Sequence, residues 1–116
     1  MSEIKILHNP RCSKSRQTLQ LLRDQGIEPE IILYLETPPS EQQLDLILNM
    51  LSIEPRQLMR TKDELYKQLN LADESLNRAQ LIAAMHANPK LIERPIVINQ
   101  QQARIGRPPQ QVLEIV

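Results

Sequence analysis

Cys12 is the only cysteine of the 116-residue chain, and its neighbours are polar and cationic. They run Arg11-Cys12-Ser13-Lys14-Ser15-Arg16. A structural cysteine is usually buried among apolar side chains, so this context favours a reactive thiol. Cys12 also lies between a predicted strand and the N-terminus of a predicted helix. The unpaired N–H groups and the helix dipole at a helix N-terminus stabilise a thiolate. Because a helix N-terminus also binds anions, we predict a nucleophile and an anion site at the same place.

His8 and Ser15 lie close enough to Cys12 in the sequence to take part in its chemistry. His8 stands four residues before the cysteine, where an imidazole could accept or share the thiol proton. Ser15 follows the cysteine by three residues and could donate a hydrogen bond to the thiolate. A strand-end histidine satisfied by solvent and a serine that serves the helix end are equally good interpretations. Both residues are therefore candidates for the catalytic set.

Arg60, Arg94 and Arg107 each stand at the end of a predicted element and beside a break in the chain. A single arginine at such a place is more often a solvated surface residue, and sequence spacing cannot show whether the three converge. If they do, their guanidinium groups would bind a tetrahedral oxyanion in paired hydrogen bonds. They would also offset the repulsion between that anion and an attacking thiolate.

The types and spacing of the residues exclude several other kinds of site. A phosphatase loop of the Cys-x5-Arg kind needs arginine at position 18, which is Thr18, and a dithiol motif needs cysteine at position 15. The two glycines are far apart, so there is no glycine-rich phosphate loop. One cysteine and two histidines without tight spacing cannot supply a usual zinc site, so we expect no metal.

The elements that must position these residues begin with a β-α-β unit. Ile4 to His8 is predicted as a strand that Asn9-Pro10 stops. Apolar spacing predicts a helix from about Ser13 to Gln25. The run from Glu30 to Leu35 is apolar on both faces, which is typical of a parallel strand covered by helices.

A helical insertion and a β-β-α unit follow. The insertion covers about residues 40 to 88, and Ser40 with Gln43 forms a capping box at its start. Further helices are predicted from Pro55 to Met59, from Asp63 to Leu69 and from Asn77 to Asn88. Two short strands, 95–98 and 103–105, then precede a last helix opened by Pro108 and Pro109.

Composition limits the classes of partner. Lysine plus arginine equal aspartate plus glutamate at 14 each, which predicts neither a nucleic-acid surface nor an acidic tail. No segment has membrane-spanning length, and the N-terminus lacks a secretory signal pattern. A single cysteine allows no internal disulfide, so we expect a cytoplasmic protein. The length suits one domain, which we expect to be a monomer.

Several separated motifs together resemble those of the glutathione- and glutaredoxin-coupled arsenate reductase family. In chain order they are Ile6 to Arg16, Tyr34 to Pro39, Arg60, Glu93 to Val97 and Gly106 to Pro108. The set extends over essentially the whole chain and is more specific than the cysteine loop alone. The resemblance implies an α/β, thioredoxin-like fold with a mixed four-stranded sheet and a helical insertion. It also implies that Pro95 is the cis-proline that faces the cysteine in such folds.

The resemblance further implies a reaction. Cys12 would attack arsenate, and Arg60, Arg94 and Arg107 would bind the oxyanion and its reduced intermediates. Glutathione would then act as co-substrate on the adduct, and glutaredoxin would resolve the mixed disulfide and leave arsenite, with no bound cofactor. The cysteine count agrees independently, because a chain with one thiol must take the second from outside in any redox cycle.

Two other functions stay open at this point. One is a monothiol oxidoreductase that acts on glutathione mixed disulfides, with the arginines holding glutathione carboxylates. The other is a non-catalytic redox sensor or regulator bound to a larger assembly. Ser15 in place of a second cysteine weakens a dithiol switch of that second kind.

Overall fold

The computed structural model describes residues 4–116, and its contacts divide the chain into two compact units. The first unit combines the chain up to Thr37 with Arg94–Val116. The second unit is Pro38–Glu93 and contains the predicted helical insertion. Cys12 and two of the three candidate arginines, Arg94 and Arg107, belong to the first unit.

The first unit is built on a mixed four-stranded sheet of order β2-β1-β3-β4. Its strands are β1 (Ile4–Leu7), β2 (Glu30–Ile32), β3 (Ile96–Asn99) and β4 (Gln102–Ile105). Helix α1 (Ser13–Asp24) connects β1 to β2, which run parallel, and a 3-10 helix (Pro109–Ile115) follows β4. The pairings β1–β3 and β3–β4 are antiparallel. The predicted β-α-β and β-β-α order is confirmed.

One face of this sheet is covered by α1 and the last 3-10 helix. A single apolar cluster joins them, contributed by the sheet, by α1 and by the last helix: Ile6, Val97, Leu19, Leu22, Val112 and Ile115. In α1 the buried residues recur at helical spacing, as the apolar pattern predicted. Because α1 is held by this cluster, its first turn has a defined place beside the end of β1.

The prediction for β2 was wrong in length and in burial. The strand ends at Ile32, and the carbonyl of Leu33 accepts hydrogen bonds from the N–H groups of Glu36 and Thr37, which makes a turn. β2 also lies at the edge of the sheet, and Ile31 is 39% exposed. An apolar run cannot separate an edge strand and turn from a longer buried strand.

The second unit is helical, with its longer helices close to the predicted ranges. It contains α2 (Glu41–Leu51), α3 (Glu64–Gln68), α4 (Arg78–Ala87) and two 3-10 helices (Pro55–Leu58 and Pro89–Leu91). The predicted Ser40–Gln43 capping box is present at the start of α2. An ion pair of 2.9 Å between Arg78 and Asp45 joins α4 to α2. Among residues 4–116, no helix is long and apolar enough to cross a membrane.

Candidate active site

One rung of the sheet brings three separate segments of the first unit together. Leu7 pairs with Ile96, and Ile96 pairs with Ile105. The pairings are antiparallel, so the end of β1, the start of β3 and the end of β4 lie at the same edge. The Cys12 loop, Arg94-Pro95 and Gly106-Arg107 are the segments that leave this rung.

The Cys12 loop is held by hydrogen bonds to Asn9. The Asn9 carbonyl accepts from the Cys12 N–H at 3.0 Å, and its side-chain oxygen accepts from the Arg11 N–H at 3.0 Å. The Asn9 N–H donates to the Ser15 hydroxyl oxygen at 3.0 Å. Cys12 is the N-cap residue of α1, with extended backbone angles. Asn9 was not singled out as a site residue, although the turn preference of Asn-Pro was visible in the sequence.

The Cys12 thiol lies in a cationic environment and is only 9% exposed. Burial raises its pKa, but the Ser15 N–H, the Arg94 guanidinium, the Lys14 N–H and Arg107 together lower the pKa below its ordinary value. Arg107 Nη2 donates a hydrogen bond to Cys12 Sγ at 3.7 Å. The site therefore favours the nucleophilic form of the thiol.

Arg94 and Arg107 meet across the end of the β3–β4 hairpin. The Gly106 N–H donates to the Pro95 carbonyl at 2.9 Å, and Arg107 Nε donates to the Arg94 carbonyl at 2.9 Å. The Arg94–Pro95 peptide bond is cis, as the resemblance implied, and Arg107–Pro108 is also cis. Two of the three predicted arginines are thus brought to Cys12 in the first unit.

His8 and Ser15 bond to each other and not to the thiol. His8 Nδ1 lies 2.6 Å from Ser15 Oγ, and both side chains are buried. The Ser15 hydroxyl is thus engaged by His8 and Asn9, and Ser15 acts on the thiolate through its backbone N–H. This corrects the prediction that the hydroxyl donates to the thiolate.

His8 forms no hydrogen bond to Cys12 within residues 4–116. Burial, followed by the charges of Arg23 and Arg16, lowers the pKa of His8 below 6.5. These effects favour the neutral imidazole, which can share a proton with Ser15. That it accepts the thiol proton stays a prediction.

Arg60 belongs to the second unit. An antiparallel bridge between Met59 and Ile92 fixes the backbone there, and the Arg60 N–H donates to the Leu91 carbonyl at 2.7 Å. The Arg60 side chain forms an ion pair with Asp63 at 3.2 Å. Its role in oxyanion binding stays a prediction.

Gly106 is a site residue whose packing the sequence did not reveal. A Cβ atom added there would lie 2.5 Å from Thr18 Oγ1 and 2.7 Å from Pro95 Cγ. Only glycine therefore lets the end of β4 pass between α1 and the proline loop. This close approach places the next residue, Arg107, beside Cys12. The Gly-Arg-Pro motif is visible in the sequence, but one sequence does not show what its glycine packs against.

The charged groups around Cys12 suit an anionic ligand. The sequence has no Asp or Glu between positions 4 and 23 or between positions 94 and 113. Within residues 4–116, no group of three or more His, Cys, Asp or Glu side chains is placed to hold a metal ion. Guanidinium groups hold tetrahedral oxyanions through paired N–H donors. The first unit can therefore present an oxyanion to a thiolate.

Comparison with known proteins agrees with this geometry. Residues 7–115 match the model of the ArsC family. The chain belongs to the ArsC family. It is 60% identical over 115 residues to the uncharacterized protein YfgD of Escherichia coli K12, covering 98% of this chain and 97% of that protein. It is 55% identical over 112 residues to an arsenate reductase of Haemophilus influenzae, covering 96% and 97%.

The solved structures extend the agreement to three dimensions. The structure titled arsenate reductase from Vibrio cholerae superposes with a TM-score of 0.96 at 57% identity and covers 97% of each chain. The thioredoxin-like ArsC fold implied by the resemblance is thereby confirmed.

The first prediction concerns the charge of Arg107. Arg107→Gln should raise the pKa of the Cys12 thiol, because it removes a cation 3.7 Å from Sγ. Iodoacetamide alkylation measured against pH should shift to higher pH by about 0.5 to 1 unit. Arg104→Gln is the matched control, since Arg104 is bound to Glu114 at 2.9 Å. An unchanged profile for Arg107→Gln would contradict the electrostatic role of Arg107.

The second prediction concerns the packing of Gly106. Gly106→Ala should lower the free energy of unfolding by about 1–3 kcal/mol, as overpacking of a buried site does. Thr18→Ala removes the nearest obstructing atoms and should recover part of this loss. Urea unfolding of the two single variants and the double variant measures the coupling. Strict additivity of the two substitutions would show that the contact is not the cause.

Proposed function

We propose that this ArsC-family protein is an arsenate reductase that uses glutathione and glutaredoxin from outside the chain. The observation that most supports this proposal is that the pKa of the Cys12 thiol is lowered and that Arg107 lies 3.7 Å from its sulfur. Relatives named arsenate reductase support the choice of arsenate as the oxyanion. We place the reaction in the cytoplasm, where thiols are kept reduced.

In the first step the Cys12 thiolate attacks the arsenic(V) centre. A sulfur–arsenic bond forms and one arsenic–oxygen bond breaks, and the departing oxygen leaves as water after protonation. Both reactants are negatively charged, so their approach is unfavourable without local cations. Arg94 and Arg107 supply these cations beside the thiolate, where they can also stabilise the negative charge that moves onto the arsenate oxygens.

In the second step a glutathione thiolate attacks the Cys12 sulfur. A sulfur–sulfur bond forms, the sulfur–arsenic bond breaks, and its electron pair stays on arsenic, which leaves as arsenite. A glutaredoxin thiol then attacks the glutathionyl sulfur and releases the Cys12 thiolate. The two electrons that reduce arsenic come from Cys12 and glutathione, and the single cysteine of the chain requires this outside supply.

The third prediction tests the reaction directly. Reduced protein with glutathione, glutaredoxin, glutathione reductase and NADPH should consume NADPH only when arsenate is added. Cys12→Ser should abolish this consumption, whereas Ser13→Ala, a change at the exposed neighbouring residue, should retain it. Absence of arsenate-dependent turnover by folded, reduced protein overturns the proposal. Turnover of a small glutathione mixed disulfide in that case indicates the monothiol oxidoreductase instead.

The fourth prediction tests the proposed part of Arg60 in oxyanion binding. Arg60→Gln should raise the KM for arsenate by about 3- to 30-fold, as loss of a charged hydrogen bond does. Arg56→Gln is the control, because Arg56 donates to the carbonyls of Leu71 and Asp73 and has a structural role. An unchanged KM for Arg60→Gln would remove Arg60 from the oxyanion set.

A further inference from the structure

We propose that Arg11 and Lys14 select the outside thiol by its charge and favour an anionic thiol such as glutathione. This inference rests on the proposed function, because it concerns the thiol that attacks the Cys12 sulfur. It assigns a specificity role to two residues that lie outside the predicted catalytic and oxyanion sets.

Both residues are exposed close neighbours of Cys12 in the sequence. Arg11 directly precedes Cys12, and Lys14 is the second residue of α1. Across residues 4–116, neither side chain forms a hydrogen bond or an ion pair with another side chain or with the backbone. Their charges are therefore available to a solute.

The neighbouring cations differ in this respect. Arg16 Nη1 donates to the Pro10 carbonyl at 2.8 Å, which fixes the loop. Arg107 is bound to the Arg94 carbonyl and the Cys12 sulfur. Arg23 pairs with Glu28 at 3.1 Å. Among the described residues, the side chains of Arg11 and Lys14 form no such contact. The sequence also has no acidic residue between positions 4 and 23 that would neutralise their charges.

The size of the attacking thiol explains why it would meet these two residues. A bound oxyanion at the sulfur is within reach of Arg107, which already lies 3.7 Å from Sγ. Glutathione carries two carboxylates and one ammonium group, and its carboxylates are several bonds away from its thiol. When its sulfur reaches Cys12, its carboxylates extend beyond the sulfur to the flanking residues. Long, flexible cationic side chains at those positions suit carboxylates in solution.

The expected effect is modest and depends on salt. Each exposed charge changes a rate by a factor of about 1.7 to 3, and the Debye length is about 10 Å at 0.1 M salt. Removing both charges should therefore slow an anionic thiol by about 3- to 10-fold at low ionic strength. A thiol without other charged groups should be slowed less, because only its thiolate charge is attracted to these two cations.

The fifth prediction is tested by thiol exchange at Cys12 without arsenate. Cys12 is first converted to its mixed disulfide with 5-thio-2-nitrobenzoate. An attacking thiolate then bonds to the Cys12 sulfur, the old disulfide bond breaks, and the coloured nitrobenzoate thiolate leaves with the electron pair. Rates are compared for glutathione, neutral 2-mercaptoethanol and cationic cysteamine. The ratio of glutathione to 2-mercaptoethanol cancels any change in the reactivity of the Cys12 sulfur.

The double variant Arg11→Gln with Lys14→Gln should lower this ratio by about 3- to 10-fold and raise the relative rate of cysteamine. About 0.5 M salt should remove most of the difference. The charge-retaining variant Arg11→Lys with Lys14→Arg should keep the wild-type ratio. Lys5→Gln, a change at an exposed cation within β1, should also keep it.

Two results would overturn the inference. One is a ratio that is unchanged in the folded double variant. The other is a rise in the KM for arsenate that exceeds the loss for glutathione, which would assign the two cations to the oxyanion. The exchange contains no arsenate, so charge selection can be found even if the chain fails to reduce arsenate. Arsenate reduction without charge selection would overturn this inference alone.

Discussion

The register of the central strands is the constraint on which the first unit's site depends. Because Leu7, Ile96 and Ile105 share one rung, three loops leave the sheet at the same edge. A slip of one residue would turn every side chain of the slipped strand to the other face and separate these loops. The apolar cluster around Ile6 and Val97 opposes such a slip. Packing of the core therefore also keeps the three loops together.

The thiol of Cys12 is held between two opposing influences. Burial favours the neutral thiol, while helix amides and guanidinium groups favour the thiolate, and the second influence prevails. In open solvent the thiolate would have a smaller desolvation penalty. Its attraction to the arginines would also be weaker, because water screens their charges. A partly closed position beside Arg107 therefore combines a lowered pKa with a place for an anion. The hydrogen bond between His8 and Ser15 joins the end of β1 to the first turn of α1, and the lowered pKa of His8 favours an uncharged pair.

Much of the frame was predictable from local patterns. The Ser40 capping box and the limits of α1 and α4 follow from spacing and end residues, which act within a few positions of each other. The prediction failed for the end of β2, because Leu33 to Leu35 continue the apolar run of the strand although they belong to a turn. The sequence also did not reveal why position 106 needs a glycine, because the atom that a Cβ there would overlap belongs to Thr18 on α1. Contacts between distant segments leave no periodic trace in a single sequence.

The sequence by itself determined which residue types surround Cys12 and that the chain has one thiol. From these it predicts a thiolate nucleophile and, for any redox cycle, a second thiol from outside. Only the tertiary structure decided which groups act on that thiol. It directed the Ser15 hydroxyl to His8, and it brought Arg94 and Arg107 to Cys12 from more than eighty positions away. The physical reason is that residue types are local, whereas the distances that govern electrostatics are set by strand register and close packing.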